Sequence, residues 1–505
     1  MKRLTAIILA LLLAMPTVLA SCAESAENTD AVSESNANAA AESVQTEETA
    51  DVRLYADVPA DSNFGGYEFN ILCSSNSEYS VIQNDFFAED ITGEPINDAR
   101  YNRNIAVGDK LNVKIISTDA SAVGTDAGYA DISKDVQSGT GSYDAATACG
   151  YATAKLAMGN FLYDLKEVPY IDLSAPWWDK VANDSLQILD QLFYTTGDIT
   201  TSDNDATYCI MFNKQLITDY NLENPYELVN EGTWTMDRFI NMANMVTNDI
   251  DGNGVYDSND LYGALVWDDT MMGIVNCTGE TCVSINEEGL MELSINTERI
   301  LDAVTKFLDF GMTDVSYEYQ RYNWDDSLLV NMFSANQSLF LTQLFQLIPK
   351  LREMDNDFGI LPYFKFDETQ DKYYTTMGSW HSVFFCVPNV QEDVSRTGIV
   401  IECLANEGMY DLTEAYYEKT LKGKSARDQE SQAMLDVIFA NRVYDLGWYY
   451  QIGSYNENVM NLLRNYTNNM ASMLKSSEKV TKKVLEKNNN SFIEAKEKRL
   501  EQLGQ

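Results

Sequence analysis

Tyr67-Glu-Phe-Asn-Ile-Leu-Cys73 sets Tyr67, Phe69, Ile71 and Cys73 on one face of an extended chain. A period of two is the pattern of a half-buried strand. Downstream, Pro95 to Lys110 reads as a helix with proline at its start, where a missing N–H costs nothing. Asn112-Val-Lys-Ile-Ile-Ser117 reads as a second strand, Gly128 to Gln137 as a helix closed by Gly139, and Tyr143-Asp-Ala-Ala-Thr-Ala-Cys149 as a third strand. Strand, helix, strand, helix, strand with tight turns predicts an α/β fold, a parallel sheet with helices on both faces. Ligands of such sheets bind beyond the carboxyl ends of the strands. Attention therefore goes to Ser74–Tyr79 and Gly150–Lys155.

A second region opens at Thr207-Tyr-Cys-Ile-Met-Phe212, again a strand. Thr233 or Thr235 caps a helix through Phe239 and Ala243. Leu261 to Trp267 has the look of a strand. Beyond Arg299 the pattern is helical, interrupted by strand-like Ser338–Thr342, Phe358–Leu361 and Ser382–Val387, and from Thr397 onward only helices are expected. No 20–50-residue repeat is visible, so a solenoid is excluded. The chain has 505 residues, and at roughly 100–200 residues per domain that implies two or three lobes.

Composition narrows the function. There are 77 Asp and Glu against 35 Lys and Arg, a net charge of −42, and such a surface repels phosphate backbones, so no nucleic-acid partner is expected. The 45% hydrophobic and 11% aromatic content is globular, so the charge does not imply disorder. His381 is the one histidine, which excludes two-imidazole metal sites and mechanisms. Neither a P-loop nor a G-x-S-x-G elbow occurs.

The amino-terminal residues read as an address. Lys2 and Arg3 precede an apolar run, Leu4 to Ala20, and Leu19-Ala20-Ser21-Cys22 fits the lipobox of bacterial lipoproteins. Residues 1–21 are then a signal peptide and Cys22 the lipidated first residue. Ala23 to Asp51 holds eight acids, no bases and no aromatics, a composition that cannot bury enough apolar surface to order itself. Residues 22–65 are expected to form an acidic tether, with the protein on the extracellular face of the cell membrane. Of the seven other cysteines, Cys277 and Cys282 are close enough for a sterically allowed disulfide, and the odd count leaves at least one free thiol. Cys73, Cys149, Cys209 and Cys386 sit in apolar runs as small core residues. No CxxC pair suggests zinc.

The sharpest local motif is Asp249-Ile-Asp251-Gly-Asn253-Gly254-Val255-Tyr-Asp257-Ser-Asn-Asp260. Oxygen side chains stand at positions 1, 3, 5, 9 and 12 of a twelve-residue loop, with Gly254 at 6 and the Val255 carbonyl at 7. Calcium takes 6–8 hard oxygens, and this is EF-hand spacing. Asp260 replaces the usual Glu at position 12, and a strand rather than a helix follows. A structural Ca²⁺ is expected, held by Asp249, Asp251, Asn253, Val255, Asp257 and Asp260.

These pieces resemble the extracellular solute-binding lipoproteins of bacterial ABC importers, in the family 1-like carbohydrate-binding group. The likeness covers roughly residues 66–450. It rests on Asp172-Leu-Ser-Ala-Pro-Trp-Trp-Asp179, Phe212-Asn-Lys-Gln-Leu216, Gly232-Thr-Trp-Thr-Met-Asp-Arg-Phe239, the calcium loop with Leu261-Tyr-Gly263, and Asp357-Phe-Gly-Ile-Leu-Pro362, in that order. The resemblance implies a two-lobe, periplasmic-binding-protein-like clamp with hinge crossings and a helical C-terminus. It implies no turnover, a carbohydrate ligand, ABC permease subunits as partners and a monomer touching the membrane through its lipid alone. Lobe one would be 66–205 plus about 380–425, and lobe two 206–379 plus about 426–505.

Sugars offer apolar C–H faces and many hydroxyls, so a site needs aromatic platforms together with carboxylates or amides. Candidates at strand ends facing the expected cleft are Asn76, Glu78 and Tyr151 on lobe one. Asp203 and Asp205 lie at the first crossing, Trp267, Asp268 and Gln343 on lobe two, and Trp380 and His381 at the return crossing. Trp177 and Trp178 are read as lobe packing. Rival readings are a glycan-cleaving enzyme using two carboxylates and a surface glycan-binding lipoprotein without a transport role.

Cys22→Ser is expected to release the protein from membranes or leave it as unprocessed precursor. A mature, lipid-labelled mutant in the membrane pellet contradicts the lipobox reading.

Overall fold

Fourteen strands are described: β1 (Tyr67–Cys73), β2 (Val113–Asp119), β3 (Ala145–Cys149), β4 (Tyr194–Thr195), β5 (Tyr208–Asn213), β6 (Tyr262–Val266), β7 (Val283–Ile285), β8 (Met291–Leu293), β9 (Ser316–Glu318), β10 (Ser338–Leu344), β11 (Phe358–Leu361), β12 (Thr375–Thr376), β13 (Val383–Cys386) and β14 (Arg442–Val443). The structure is a computed structural model describing residues 53–75, 84–323, 325–421 and 429–503. Cys22, Asn76 and Glu78, like the signal peptide and most of the tether, lie outside the described residues.

Two five-stranded sheets carry the body, in the orders β2-β1-β3-β13-β4 and β11-β5-β10-β6-β9. In the first, β2, β1 and β3 are parallel, as the alternating residues of 67–149 predict. Strand β13 returns from far along the chain and pairs antiparallel with β3 and β4, so this sheet is mixed. In the second, β10, β6 and β9 are parallel while β5 runs antiparallel to β10 and β11. Helices Pro95–Leu111 and Val394–Leu421 pack on one another beside the first sheet. Thr235 caps the helix Met236–Val246, its hydroxyl accepting from the Arg238 N–H.

The sheets are joined by crossings bonded to one another. The Gly378 N–H donates to Ala206 O, Met377 N–H to Val443 O and Thr375 N–H to Asn441 O. The last contact belongs to β14, which pairs parallel with β12. The expectation of helices alone after Thr397 is therefore corrected: a two-residue strand is too short to show a period, and it exists because a crossing lies beside it.

Trp177 and Trp178 are core residues. Both indole N–H groups donate to the buried Glu402 carboxylate, each at 3.0 Å. Burial pushes Glu402 up to about 7 against the pull of those two donors. The seven cysteines of the body are all buried and free, Cys277 and Cys282 included, so that pair forms no disulfide here.

Candidate functional site

Strand β3 runs straight into the helix Gly150–Met158. A Cβ on Gly150 would meet Ser379 O at 2.7 Å, so the return crossing can approach this turn only because the residue is glycine. The approach brings the Tyr151 hydroxyl to 2.9 Å from the Ser379 hydroxyl, and Asn456 Nδ2 donates to Tyr151 at 2.9 Å. Trp380 and His381 follow Ser379. At the carboxyl end of β6 stand Trp267, Asp268 and Asp269, and after β9 comes Tyr319. Trp267 packs on Tyr208 at 5.3 Å and meets His381 edge-on at 5.4 Å, while Trp380 and His381 lie 4.6 Å apart. Residues from the ends of both sheets thus converge, roofed by the helix Tyr455–Arg464.

The charges of this cluster are unequal. Arg464 Nε donates to Asp268 Oδ2 at 2.5 Å, Arg464 Nη1 pairs with Glu457, and the guanidinium lies 5.2 Å over the Tyr319 ring. Burial raises the Asp268 carboxyl and Arg464 counteracts it. Burial, then the Asp268 charge, hold Asp269 well above the carboxylate range. His381 is neutral at pH 7, since burial pushes it down to about 3.

Other sequence candidates lie in different settings. Asp203 is buried and pairs with Arg442 at 3.0 Å, and burial pushes its carboxyl up to about 6. Arg442 also reaches Asp179 at 3.3 Å and bonds Asn204. Asp205 accepts from the Tyr416 hydroxyl at 2.9 Å. On β10 the Thr342 hydroxyl accepts from the Trp267 N–H, so strand alternation turns Gln343 to the opposite face, where its Oε1 accepts from the Leu344 N–H. Hence Tyr151, Trp267, Asp268, Trp380 and His381 come together, and the bonds of Asp203 and Gln343 run elsewhere.

Sequence reasoning missed Asp269, Tyr319, Ser379, Asn456, Glu457 and Arg464. Asp269 and Ser379 adjoin named candidates and were within reach. Nothing local marks Arg464, whose partner Asp268 is 196 residues away. Volume does not select the cluster either. A larger hollow of about 690 Å³, lined by Asp237, Lys306 and Phe366 among others, opens on the surface between helices Met236–Val246 and Glu298–Gly311.

The loop 249–260 is closed at its neck. Asn248 and Leu261 bond each other at its neck at 2.9 and 3.1 Å. Gly254 has φ 80°, a left-handed turn suited to glycine. Carboxylate oxygens of Asp249, Asp251 and Asp260 lie within 4.8 Å of one another. The Asp257 carboxylate accepts from the Asn259 N–H at 2.8 Å.

No family model and no curated protein matches the chain, but solved structures do. An ABC substrate-binding protein from Listeria monocytogenes, in complex with cycloalternan, aligns over 83% of this chain and 99% of its own, with 14% identity and a TM-score of 0.53. A cyclo/maltodextrin-binding protein complexed with maltotetraose aligns over 84% of this chain and 98% of its own, with 10% identity and a TM-score of 0.57. A sugar transporter from Rhizobium etli, in an open conformation, aligns over 83% and 99%, with 13% identity and a TM-score of 0.56. The fold is the two-lobed solute-binding clamp. At these identities the likeness is one of architecture, and the α/β clamp with crossings and a helical C-terminus expected above is what the chain adopts.

Arg464→Ala strands the buried Asp268 charge and is expected to cost about 3–5 kcal/mol in a denaturant melt. Adding Asp268→Asn then recovers part of that loss. Fully additive losses contradict the pairing.

Proposed function

We propose that this protein captures a carbohydrate between its two lobes at the outer face of the cell membrane and delivers it to an ABC permease. The observation that carries the reading is the meeting of Tyr151, Trp267, Asp268, Trp380 and His381 at strand ends of both sheets. Rings of this kind stack on C–H faces, and carboxylates accept from hydroxyls. The solved structures that share the fold include proteins bound to cycloalternan and maltotetraose. Lobe one is proposed as 66–205 with about 380–425, and lobe two as 206–379 with about 426–505. No helix among the described residues is long and apolar enough to cross a membrane, and the proposed attachment is the lipid on Cys22. Two acyl chains suffice for stable anchoring at about 0.8 kcal/mol per buried CH₂.

A thermal-shift panel of mono- and oligosaccharides on the purified protein tests this. A ligand at 100 times its Kd adds about 2.7 kcal/mol of stability, which raises the melting temperature. A panel without any shift contradicts sugar capture.

The loop 249–260 is proposed to bind one structural Ca²⁺ through Asp249, Asp251, Asn253, the Val255 carbonyl, Asp257 and Asp260. Its support is the twelve-residue spacing and the convergence of three carboxylates. Chelation is expected to lower the melting temperature of the parent and to leave Asp251→Ala unmoved. An equal chelator effect on both rejects the site.

A further inference from the structure

The cluster holds more acids than its own cation pairs, and burial with the Asp268 charge disfavours the ionised form of Asp269. Asp268, Asp269 and Glu457 face one guanidinium, Arg464, which bonds Asp268 and Glu457. Asp269 has no ion pair among the described residues, and its carboxylate receives only a 3.4 Å contact from the Tyr208 hydroxyl, at the outer limit of a hydrogen bond. Asp268 Oδ1 is buried and has no hydrogen-bond partner among the described residues, nor has His381 Nδ1. The imidazole is neutral and adds no positive charge. The Tyr208 hydroxyl reaches Asp269, the Trp267 ring packs on Tyr208, and the Tyr319 ring lies under the Arg464 guanidinium that bonds Asp268.

We propose that the ligand is a carbohydrate carrying a free amino group, an unacetylated amino sugar whose ammonium sits against Asp269 and the unpartnered oxygen of Asp268. This rests on the sugar-capture reading and adds the ligand's charge to it. A neutral hydroxyl can donate to Asp269 but brings no charge to favour its ionised form. An ammonium supplies both, in a charge-assisted bond about twice as strong as a neutral one. Burial and the neighbouring Asp268 charge disfavour an ionised Asp269, so an occupant that brings a cation is the kind that lets Asp269 ionise and pair. A uronate or phosphosugar meets Asp268, Asp269 and Glu457 at close range and is repelled. N-acetylation removes the positive charge and adds bulk, so an acetamido sugar loses the advantage.

The test is titration calorimetry on the full chain in detergent. The probes are oligosaccharides of several linkages, each offered with free amines, with N-acetyl groups, with hydroxyls only and as a uronate. The free-amine members are expected to bind at least ten-fold tighter than their neutral and N-acetyl counterparts, with an advantage that shrinks as salt rises. Asp269→Asn narrows that ratio while Asp269→Glu retains it. If Asp269→Asn does not fold, the order of the panel and its salt dependence on the parent still decide. Neutral or N-acetyl members binding as tightly as the amines overturn the proposal and leave sugar capture intact. Tightest binding of the uronates overturns it equally. A panel in which nothing binds overturns both readings.

Discussion

One buried guanidinium, that of Arg442, holds the crossings in register. It lies on β14, bonds Asp203 and Asn204 of the first crossing and Asp179 beyond the paired tryptophans, and stacks 4.4 Å over Phe439. The Tyr444 hydroxyl donates to the same Asp179 at 2.7 Å. Taking such charges out of water is expensive, and mutual pairing repays the cost only with good geometry. Losing any partner leaves a buried charge uncompensated, so the segments that meet here are tied to one arrangement.

The cluster around Asp268 and Asp269 shares one feature with this network: its carboxylates outnumber its cation, and buried polar atoms there have no partner among the described residues. The Arg442 network contains such atoms too, Asp203 Oδ1 and Arg442 Nε, beside a cavity of about 180 Å³ lined by Asp198, Asp203 and Arg442 among others. What separates the two places is the company: Arg442 is bonded to both Asp179 and Asp203, whereas Asp269 has only the Tyr208 hydroxyl within reach among the described residues and lies at the carboxyl end of β6, among parallel strands.

Much of the fold was legible because β1 alternates, β2 and β3 carry short apolar runs, and the helices between them are clearly ended. The Thr235 cap and strand β6 were legible for the same local reasons. Trp177 and Trp178 read correctly as packing, but their partner Glu402 lies over 220 residues away and leaves no trace near them. Strand β14 was invisible because two residues carry no period. In the site, aromatic and acidic residues at strand ends could be nominated from chemistry alone. Which of them meet depended on crossings that no local pattern encodes, and so Arg464 and Tyr319 escaped while Gln343, on the wrong face of its strand, did not. The spacing of 249–260 could be read because its twelve residues are contiguous, and three of its carboxylates converge.

Small-angle scattering of the protein with and without a saturating sugar that binds it tests the clamp most directly. The account predicts a smaller radius of gyration in the loaded protein, because a ligand touching both lobes favours the form in which both contacts are made. An unchanged radius at full occupancy, with binding verified by calorimetry in the same sample, contradicts closure between two lobes.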